Sequence, residues 1–383
     1  MKPIDERFGV NSLHAMKPIR VSAAWEVVLF VAVTISIALI GCKSNEAPAP
    51  TAGVPAEKPS APAACSDCVA VTADNFNRAE SDMYFASTIK LAEGIGKFYH
   101  NPEIMPIDRQ TVIRANRDTL YSGAVFDLDA GPVTIKLPDP GKRFMSMIVI
   151  DEDQYAHEVY YGAGSHTITK PQVGTRYVLA GIRTFVDPSN PKDVEDVHAL
   201  QHAIKVSQAN PGTWQAPKWD PVSEKKVRDA LIVLAGTIPD TKKMFGTKDH
   251  VDPVRHLIGT ASGWGGNSEK DATYITVTPS KNDGSSVYRL SVKDVPVDGF
   301  WSISMYGPDG YFHKNDCDAY TLNNITAKKD ADGAVTVQFG GCDGKIPNCL
   351  PVMSGWNYWV RLYRPRAAIL DGTWKFPEPQ PLQ

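Results

Sequence analysis

An uncharged, apolar run from Val27 to Gly41 limits where the folded part of this chain can begin. The run has 15 residues, whereas a helix needs about 20 to cross the hydrocarbon core of a bilayer. This length, with Lys17 and Arg20 upstream, is typical of a secretory signal. We therefore expect residues 1–41 to be a signal peptide, with a short anchor helix as the alternative.

The two ends of this signal carry further information. Met16-Lys17-Pro18-Ile19 repeats the first four residues of the chain, so Met16 is an alternative start. At the other end, Leu39-Ile40-Gly41-Cys42 resembles the lipobox of bacterial lipoproteins, whose cysteine is lipidated and becomes the new N-terminus. The resemblance implies an exported cell-envelope lipoprotein with a lipid anchor at Cys42. The residue after Cys42 is Lys43 and not the Asp that retains lipoproteins in the inner membrane. By resemblance to lipoprotein sorting, this implies that the protein is anchored in the outer membrane.

Residues 42–71 are interpreted as a tether between the lipid attachment and the folded body. Positions 43–64 are rich in Pro and Ala and show no apolar period, which is typical of an extended spacer without a core. The mature chain of about 340 residues exceeds one ordinary hydrophobic core. We therefore expect two domains after the tether.

Export makes disulfides possible for the cysteines that follow Cys42. Cys342 and Cys349 bracket a polar loop and are the first predicted pair. Cys65 and Cys68 are the second candidate pair, with a redox pair and half of a metal site as alternatives. Cys317 is left over and is interpreted as a buried free thiol.

The first predicted domain, residues 72–190, combines one helix with short strands. Apolar residues follow a helical period from about residue 72 to 99. Period-two strands then follow, including Phe144–Ile150 and Tyr177–Val186, with turns between them. Short strands without intervening helices favour an antiparallel sandwich or barrel.

The rest of the chain is predicted to be a helical segment followed by a second β domain. Residues 191–268 contain two helical patterns and end in a Gly/Trp loop, Gly259–Gly266. Residues 269–383 contain at least five strands. Asn282–Gly284 and Asp332-Gly333 are hairpin signals between these strands.

Three motifs resemble a known pair of bacterial domains. Asn116-Arg117-Asp118-Thr119-Leu120-Tyr121-Ser122 resembles the signature of the domain of unknown function 1254. Asp298-Gly299-Phe300-Trp301-Ser302-Ile303-Ser304-Met305-Tyr306 and Arg361-Leu362-Tyr363-Arg364-Pro365 resemble the domain of unknown function 1214. The resemblance implies a mainly β, α+β multidomain protein with two antiparallel β-sandwich-like domains flanking or packed on a helical cluster. It implies no reaction.

The polar stretch Asn116–Tyr121 supplies the first candidate site residues. Arg117 can bind an anionic group bidentately, with Asp118 orienting the guanidinium. Asn116 and Tyr121 are further predicted ligand contacts. The alternative is a structural network that satisfies backbone groups at a domain corner.

A second candidate, Asp151 with His157, follows the strand Phe144–Ile150. A carboxylate beside an imidazole suits acid–base catalysis or the binding of a hard cation. A polar turn after an apolar strand would contain the same residues without any function. The catalytic candidates are thus Arg117, Asp118, Asp151 and His157.

A third candidate is an aromatic and cationic surface in the second β domain. Trp359, Arg361 and Tyr363 share one face of a predicted strand, which suits a sugar ring or a flat organic ligand. The predicted ligand contacts therefore also include Trp301, Tyr306, Arg361 and Trp374. Structural packing is the alternative.

Charge and motifs exclude several function classes. A net charge of −3 leaves no basic footprint for nucleic acid. The sequence contains no nucleophile elbow, P-loop or dinucleotide fingerprint. His198 and His202 share a helix face but lack the glutamate of the zincin motif, so we interpret them as surface residues and predict no metal and no cofactor.

Three functions remain open for the folded body. The first is a lipid-anchored envelope protein that binds a small molecule, a glycan or another envelope component. The second is a hydrolase-type enzyme with a cleft near the domain junction. The third is a structural or assembly lipoprotein.

Overall fold

The computed structural model describes residues 65–382, apart from 111–113 and 239. The predicted signal peptide, Cys42 and most of the tether lie outside these residues, so signal and lipidation stay predictions. No helix in the described part of the chain is long and apolar enough to cross a membrane.

The N-terminal half of the described chain is a sandwich of two antiparallel sheets. Its strands are β1 (Tyr99–His100), β2 (Thr119–Asp127), β3 (Val133–Leu137), β4 (Met145–Asp151), β5 (Ala156–Tyr161), β6 (Gly164–Ile168), β7 (Tyr177–Phe185) and β8 (Lys205–Ser207). The five-stranded sheet has the order β1-β2-β7-β4-β5, and the three-stranded sheet has the order β6-β3-β8. Buried apolar residues of both sheets, such as Phe126, Ile135 and Met147, form the core between them.

Six helices accompany the strands in the described residues. They are α1 (Phe76–Leu91), α2 (Lys170–Val173), α3 (Pro191–His202), α4 (Pro221–Ala235), α5 (Pro253–Gly263) and α6 (Ala367–Leu370). Helices α3, α4 and α5 begin alike: Asn190, Asp220 and Asp252 accept backbone N–H groups at the N-cap. In each case a proline follows at the first helical position, where its missing N–H costs nothing.

Two predicted helix boundaries were wrong. The first helix ends at Leu91 rather than near residue 99, because Gly94 and Gly96 adopt positive φ angles of 142° and 77°. The predicted Gly/Trp loop begins inside a helix, since α5 continues to Gly263. Gly259 is needed there because a Cβ would lie 2.9 Å from the Cβ atom of Met244.

The C-terminal half is a second sandwich. Its strands are β9 (Ala272–Val277), β10 (Tyr288–Val292), β11 (Trp301–Tyr306), β12 (Thr321–Asn323), β13 (Val335–Phe339), β14 (Cys349–Leu350), β15 (Asn357–Tyr363) and β16 (Gln380–Pro381). One sheet has the order β14-β13-β10-β16 and the other has the order β12-β11-β15-β9. All neighbouring strands are antiparallel except β13 and β14. The mainly β, α+β fold with two sandwiches and a set of helices is as predicted.

The helices cover outer faces of the sheets. Residues of α1, α4 and α5 form one apolar cluster with Tyr306 and Trp359, which lie on the outer face of the β12-β11-β15-β9 sheet. Tyr84 and Phe85 of α1 also pack on the outer face of the five-stranded sheet, together with Trp264. Helix α1 thus contacts both domains.

The two predicted hairpins are absent from the described residues. Asn282–Gly284 connects β9 to β10, and Asp332-Gly333 connects β12 to β13, but the strands of each pair belong to different sheets. Both segments are turns that pass from one sheet of the sandwich to the other. Local turn residues do not determine which strands pair.

The predicted bridge between Cys342 and Cys349 is present. Cys65 and Cys68 are both disulfide-bonded, and their sulfur atoms lie within 4.8 Å of each other. Cys317 is a free, half-buried thiol.

Replacing Cys342 and Cys349 together by Ser should lower the free energy of unfolding by about 2–3 kcal/mol, because the reduced loop gains entropy in the unfolded chain. Urea denaturation of the purified protein measures this difference. The control is Cys317→Ser, which removes a thiol without opening a loop. Equal stability of the double variant and the control would contradict the prediction.

Candidate functional site

A cavity lies on the outer face of the five-stranded sheet, next to Trp264, which directly follows α5. We call it the sheet cavity; it is defined by Tyr99, Tyr121, Ile148, Leu179, Arg183 and Trp264. Its interior leaves about 20 Å³ for the centre of a water-sized molecule, and its mouth opens to solvent.

Two paired glycines explain why this face has room for a cavity. Gly123 of β2 lies directly opposite Gly181 of β7, and both line the sheet cavity. Neither residue carries a side chain, so this pair of positions adds no side-chain atoms to the outer face of the sheet. Ile148 and Leu179 flank the gap: a Cβ on Gly181 would lie 3.3 Å from Ile148 Cγ2 and 3.4 Å from Leu179 Cδ2.

Arg183 is the charged residue of the sheet cavity. It lies two positions after Gly181 on β7, so its side chain is on the same face. The residue is only 2% exposed. Its Nη2 donates to the Gly265 carbonyl at 3.3 Å, and its Nη1 makes a longer 3.5 Å contact with Asn267 Oδ1.

The Arg183 guanidinium has neutral neighbours. Burial lowers its pKa, but the phenols of Tyr121, Tyr274 and Tyr363 outweigh burial and raise it above the usual value. The guanidinium also lies 5.6 Å from the Tyr121 ring centroid. No described carboxylate forms an ion pair with Arg183. A buried cation without a carboxylate partner is unusual, because buried charges are normally paired.

Asn116 connects the sheet cavity with the C-terminal domain. Its Oδ1 accepts the Asp118 N–H at 2.9 Å. Its Nδ2 therefore faces the hydroxyls of Tyr121 at 3.1 Å and Tyr363 at 3.2 Å. Tyr121 lines the cavity and Tyr363 belongs to β15, so one amide links both domains beside Arg183.

Asp118 and Arg361 lie within the domain junction rather than at the cavity. Asp118 is 1% exposed and accepts hydrogen bonds from Ser302 Oγ at 2.6 Å and Asn323 Nδ2 at 3.4 Å. Burial raises the pKa of Asp118, and the Arg361 charge opposes that rise. These contacts join the segment before β2 to strands β11 and β12.

Arg361 is 1% exposed and binds oxygen atoms from both domains. It donates to Ser304 Oγ at 2.7 Å and to the Tyr306 hydroxyl at 2.8 Å. It also donates to the backbone carbonyls of Arg114 at 2.9 Å and Ala115 at 3.3 Å. Both terminal nitrogens, Nη1 and Nη2, donate into the junction, and the Tyr306 hydroxyl donates to the Ala115 carbonyl at 2.9 Å, so Arg361 and Tyr306 hold the domains together.

The remaining predicted ligand contacts lie elsewhere. Arg117 donates to the Met105 carbonyl and lies over the Tyr320 ring at 5.4 Å; burial lowers its pKa. Trp301 and Trp374 both pack against Phe376 in the core of the second sandwich. None of the three lines the sheet cavity.

The structure brings Asp151 and His157 together. Asp151 Oδ2 lies 2.8 Å from His157 Nε2, and Asp151 is only 3% exposed. His157 lines a second cavity, which we call the edge cavity; it is defined by His157, Glu158, Gly246, His250, Lys270 and Asp271. The four catalytic candidates therefore lie in three places and do not converge on one cleft.

Within the described residues, one group of three ligating side chains is close together, Cys65, Asp67 and Cys68. The sulfur atoms of Cys65 and Cys68 are disulfide-bonded and offer no thiolate to a metal. His198 Nε2 lies 2.8 Å from the Pro102 carbonyl, and the His202 ring lies beside His100, 5.7 Å between centroids.

Family models match both halves of the chain. "Protein of unknown function (DUF1254)" matches residues 95–173, and "Protein of unknown function (DUF1214)" matches residues 272–367. The chain carries these two domains in tandem. The resemblance of the Asn116–Ser122 and Asp298–Tyr306 motifs is thereby confirmed.

One solved structure shares this fold. The chain is similar to the VPA0106 protein from Vibrio parahaemolyticus, with 19% identity and a TM-score of 0.62 over 81% of this chain and 98% of that one. It is also similar to an uncharacterised protein from Burkholderia cenocepacia, with 13% identity and a TM-score of 0.44 over 76% and 84% of the two chains. No curated protein matches the chain. The first likeness concerns the fold alone.

Sequence reasoning found Tyr121 and Asn116 but missed Arg183, the charged residue of the sheet cavity. Arg183 lies beyond the DUF1254 match, in a strand whose other residues are almost all apolar. The available signal was a glycine and an arginine two positions apart, which puts a gap and a charge on one face of a strand.

Proposed function

We propose that this tandem DUF1254–DUF1214 protein binds a small molecule with an apolar body and one carboxylate group in the sheet cavity. The observation that supports the proposal is Arg183, which is 2% exposed, lies beside apolar walls and has only neutral hydrogen-bond partners among the described residues. A carboxylate ligand would supply the missing negative charge. Small-molecule sites commonly combine such walls with a few polar groups.

The chemistry of arginine favours a carboxylate over other polar groups. A guanidinium presents parallel N–H donors that match the two oxygens of a carboxylate. The contact would be strong because Trp264, Ile148 and Leu179 keep water away from it. The apolar part of the ligand would lie over Gly123 and Gly181, where the sheet has no side chains.

The proposed place of action is the cell envelope, with the protein held to the outer membrane by lipid on Cys42. The apolar run before Cys42 and the Pro/Ala-rich tether support this location. Mass spectrometry of the protein from a membrane fraction tests it. An unmodified Cys42, or a retained residue 41, would contradict the lipid anchor.

The binding proposal predicts a preference for carboxylates over alcohols. In calorimetric titrations of the purified protein, benzoate and short linear carboxylates should bind at least about tenfold tighter than alcohols of equal carbon number, a difference of about 1.4 kcal/mol. Affinity should rise with chain length until the cavity is full. Equal affinity for the two series would exclude Arg183 as the recognition group.

Two substitutions test the cavity itself. Gly181→Ala should weaken benzoate binding by about tenfold with little change in stability, because the new methyl group occupies the gap beside Ile148. Arg183→Lys should reduce the preference for carboxylates, since Lys keeps the charge but loses the planar pair of donors. The matched control is Gly236→Ala, an exposed glycine at the end of α4 with φ −63°. If Gly181→Ala binds like the control, the ligand lies elsewhere.

A further inference from the structure

The edge cavity, which the binding proposal does not use, contains two histidines. It lies beside the edge strand β5 and the segments 246–250 and 268–271. Its interior leaves about 130 Å³ for the centre of a water-sized molecule, and its mouth opens to solvent. His157 comes from β5, and His250 comes from the segment that precedes α5. The two imidazoles therefore face one cavity from distant parts of the chain.

A buried carboxylate fixes the orientation of His157. Asp151 Oδ1 accepts the backbone N–H groups of Asp153 and Tyr155, each at 2.9 Å. The other oxygen, Oδ2, lies 2.8 Å from His157 Nε2. Because a carboxylate accepts only, the neutral imidazole carries its proton on Nε2 and has its lone pair on Nδ1.

His250 also lies beside a carboxylate, at a longer distance. Its Nε2 is 3.2 Å from Glu269 Oε1, within ion-pair distance, and a neutral ring with its proton on Nε2 has its lone pair on Nδ1. The ring lies against Gly246, where a Cβ would be 2.9 Å from His250 Cδ2. A side chain at position 246 would therefore displace the imidazole. Histidines that bind metals usually donate their second N–H to a carboxylate in this way.

Glu269 adds an independent observation. Its Oε2 atom is buried and has no hydrogen-bond partner among the described residues. An ionised oxygen that is removed from water without a partner is costly, and a nearby cation would offset that cost. The unpaired oxygen belongs to the same carboxylate that holds His250.

The surrounding charges also favour a cation. Four carboxylates lie at or directly behind the cavity wall: Asp151, Glu158, Glu269 and Asp271. The cation that faces them from the lining is Lys270. With neutral imidazoles the local charge is therefore negative, which attracts divalent cations.

We propose that the edge cavity binds a divalent transition-metal ion, with His157 and His250 as its protein ligands. Imidazole nitrogen selects zinc-like metals over calcium and magnesium, which prefer oxygen. Three ligating side chains of the cavity do not lie within 4.8 Å of one another in the described structure, so a bound ion would take its remaining ligands from water. The site departs from the prediction that the chain holds no metal.

Zinc titration of the purified full chain, in the absence of reductant, tests the proposal. One Zn²⁺ per chain should bind, and His157→Ala and His250→Ala should each weaken it at least about tenfold. The matched control is His313→Ala, because His313 also has a carboxylate partner, Asp309 at 3.0 Å, but lies outside the cavity. This control should bind zinc like the native protein. Asp151→Asn should weaken zinc by about 10–100-fold through loss of the carboxylate that orients His157.

Cobalt binding provides a second, spectroscopic measurement of the same site. Co²⁺ should give visible absorption bands with the native chain and with His313→Ala, and these bands should be lost in His250→Ala. His250 has a side chain that is 41% exposed, so this variant should fold even if the His157 variant does not. Zinc binding that survives both histidine substitutions, or calcium binding of equal strength, would overturn the proposal. Benzoate binding at the sheet cavity is measured separately, so the ligand proposal and the metal proposal can each fail without the other.

Discussion

Replacing Arg361 by Met should lower the free energy of unfolding by about 3–5 kcal/mol, the usual cost of removing one partner from a buried charged network. The substitution removes the Arg361 hydrogen bonds to the carbonyls of Arg114 and Ala115 and leaves the Ala115 carbonyl with the Tyr306 hydroxyl. It also removes the larger of the two positive charges, Arg361 and Arg117, that oppose the rise in the pKa of the buried Asp118. Urea denaturation followed by tryptophan fluorescence measures the loss.

The control for this experiment is Arg366→Met. Arg366 pairs with Asp298 at 2.7 Å, but both side chains are largely exposed, so water replaces the lost contact. An equally small loss of unfolding free energy in Arg361→Met and Arg366→Met would mean that the junction network is not needed for stability. In that case Arg361 would again be available as a ligand contact, as the sequence predicted.

The strands of the fold could be predicted from the sequence, but their pairing could not. Period-two alternation predicted the bounds of β4 and β7 to within one residue at each end. The Asn282–Gly284 turn, in contrast, was a hairpin signal that joins strands of different sheets. Turn type depends on local backbone angles, whereas sandwich pairing depends on contacts between residues far apart in the chain.

The candidate site was predicted in part, because a motif identifies important residues without their surroundings. Asn116, Asp118 and Tyr121 were recognised in one polar stretch, and all three take part in the junction network or the sheet cavity. Arg117 belongs to the same stretch but points away, toward Met105. Consecutive residues around a strand end face different directions, so spacing alone does not assign them to one site.

Arg183 and Arg361 show what the sequence could not decide. Each is an arginine in an apolar strand and each is almost fully buried. Their functions differ because Arg361 meets backbone carbonyls of the opposite domain, whereas Arg183 meets a cavity. Which atoms lie opposite a strand depends on how the two domains pack.

A group of buried carboxyls between α1 and α4 should make stability depend on pH. Asp82 is 3% exposed; its Oδ2 accepts from Trp219 Nε1 at 2.8 Å, and its Oδ1 has no partner in the described structure. Burial, with the nearby charge of Glu152, raises the pKa of Asp82 to about 7. Burial and the neighbouring Glu80 raise the pKa of Glu224 to about 7 as well, although Arg228 opposes both effects.

The direction of this pH dependence follows from which state, folded or unfolded, binds more protons. Between pH 4, near the pKa of an unfolded carboxyl, and pH 7, the folded protein keeps protons on Asp82 and Glu224 that the unfolded chain has released. Folding is therefore favoured at the acidic end of this range, and this contribution is lost as pH rises toward 7. Each group changes the free energy of unfolding by roughly 1.4 kcal/mol per pH unit in that window.

The variant Asp82→Asn should separate this contribution from all others. Asn keeps an oxygen for Trp219 and carries no charge, so the variant should match the native protein near pH 4.5 and exceed its stability at pH 8. Urea denaturation at half-unit steps between pH 4.5 and 8 measures the difference. The control is Asp193→Asn, because Arg143 holds the pKa of Asp193 below its usual value. Since Asp193 is ionised in both states above pH 5, this control should shift the curve without changing its slope. A native profile parallel to that of Asp82→Asn would mean that Asp82 is ionised throughout, with Arg78 close enough to hold its charge.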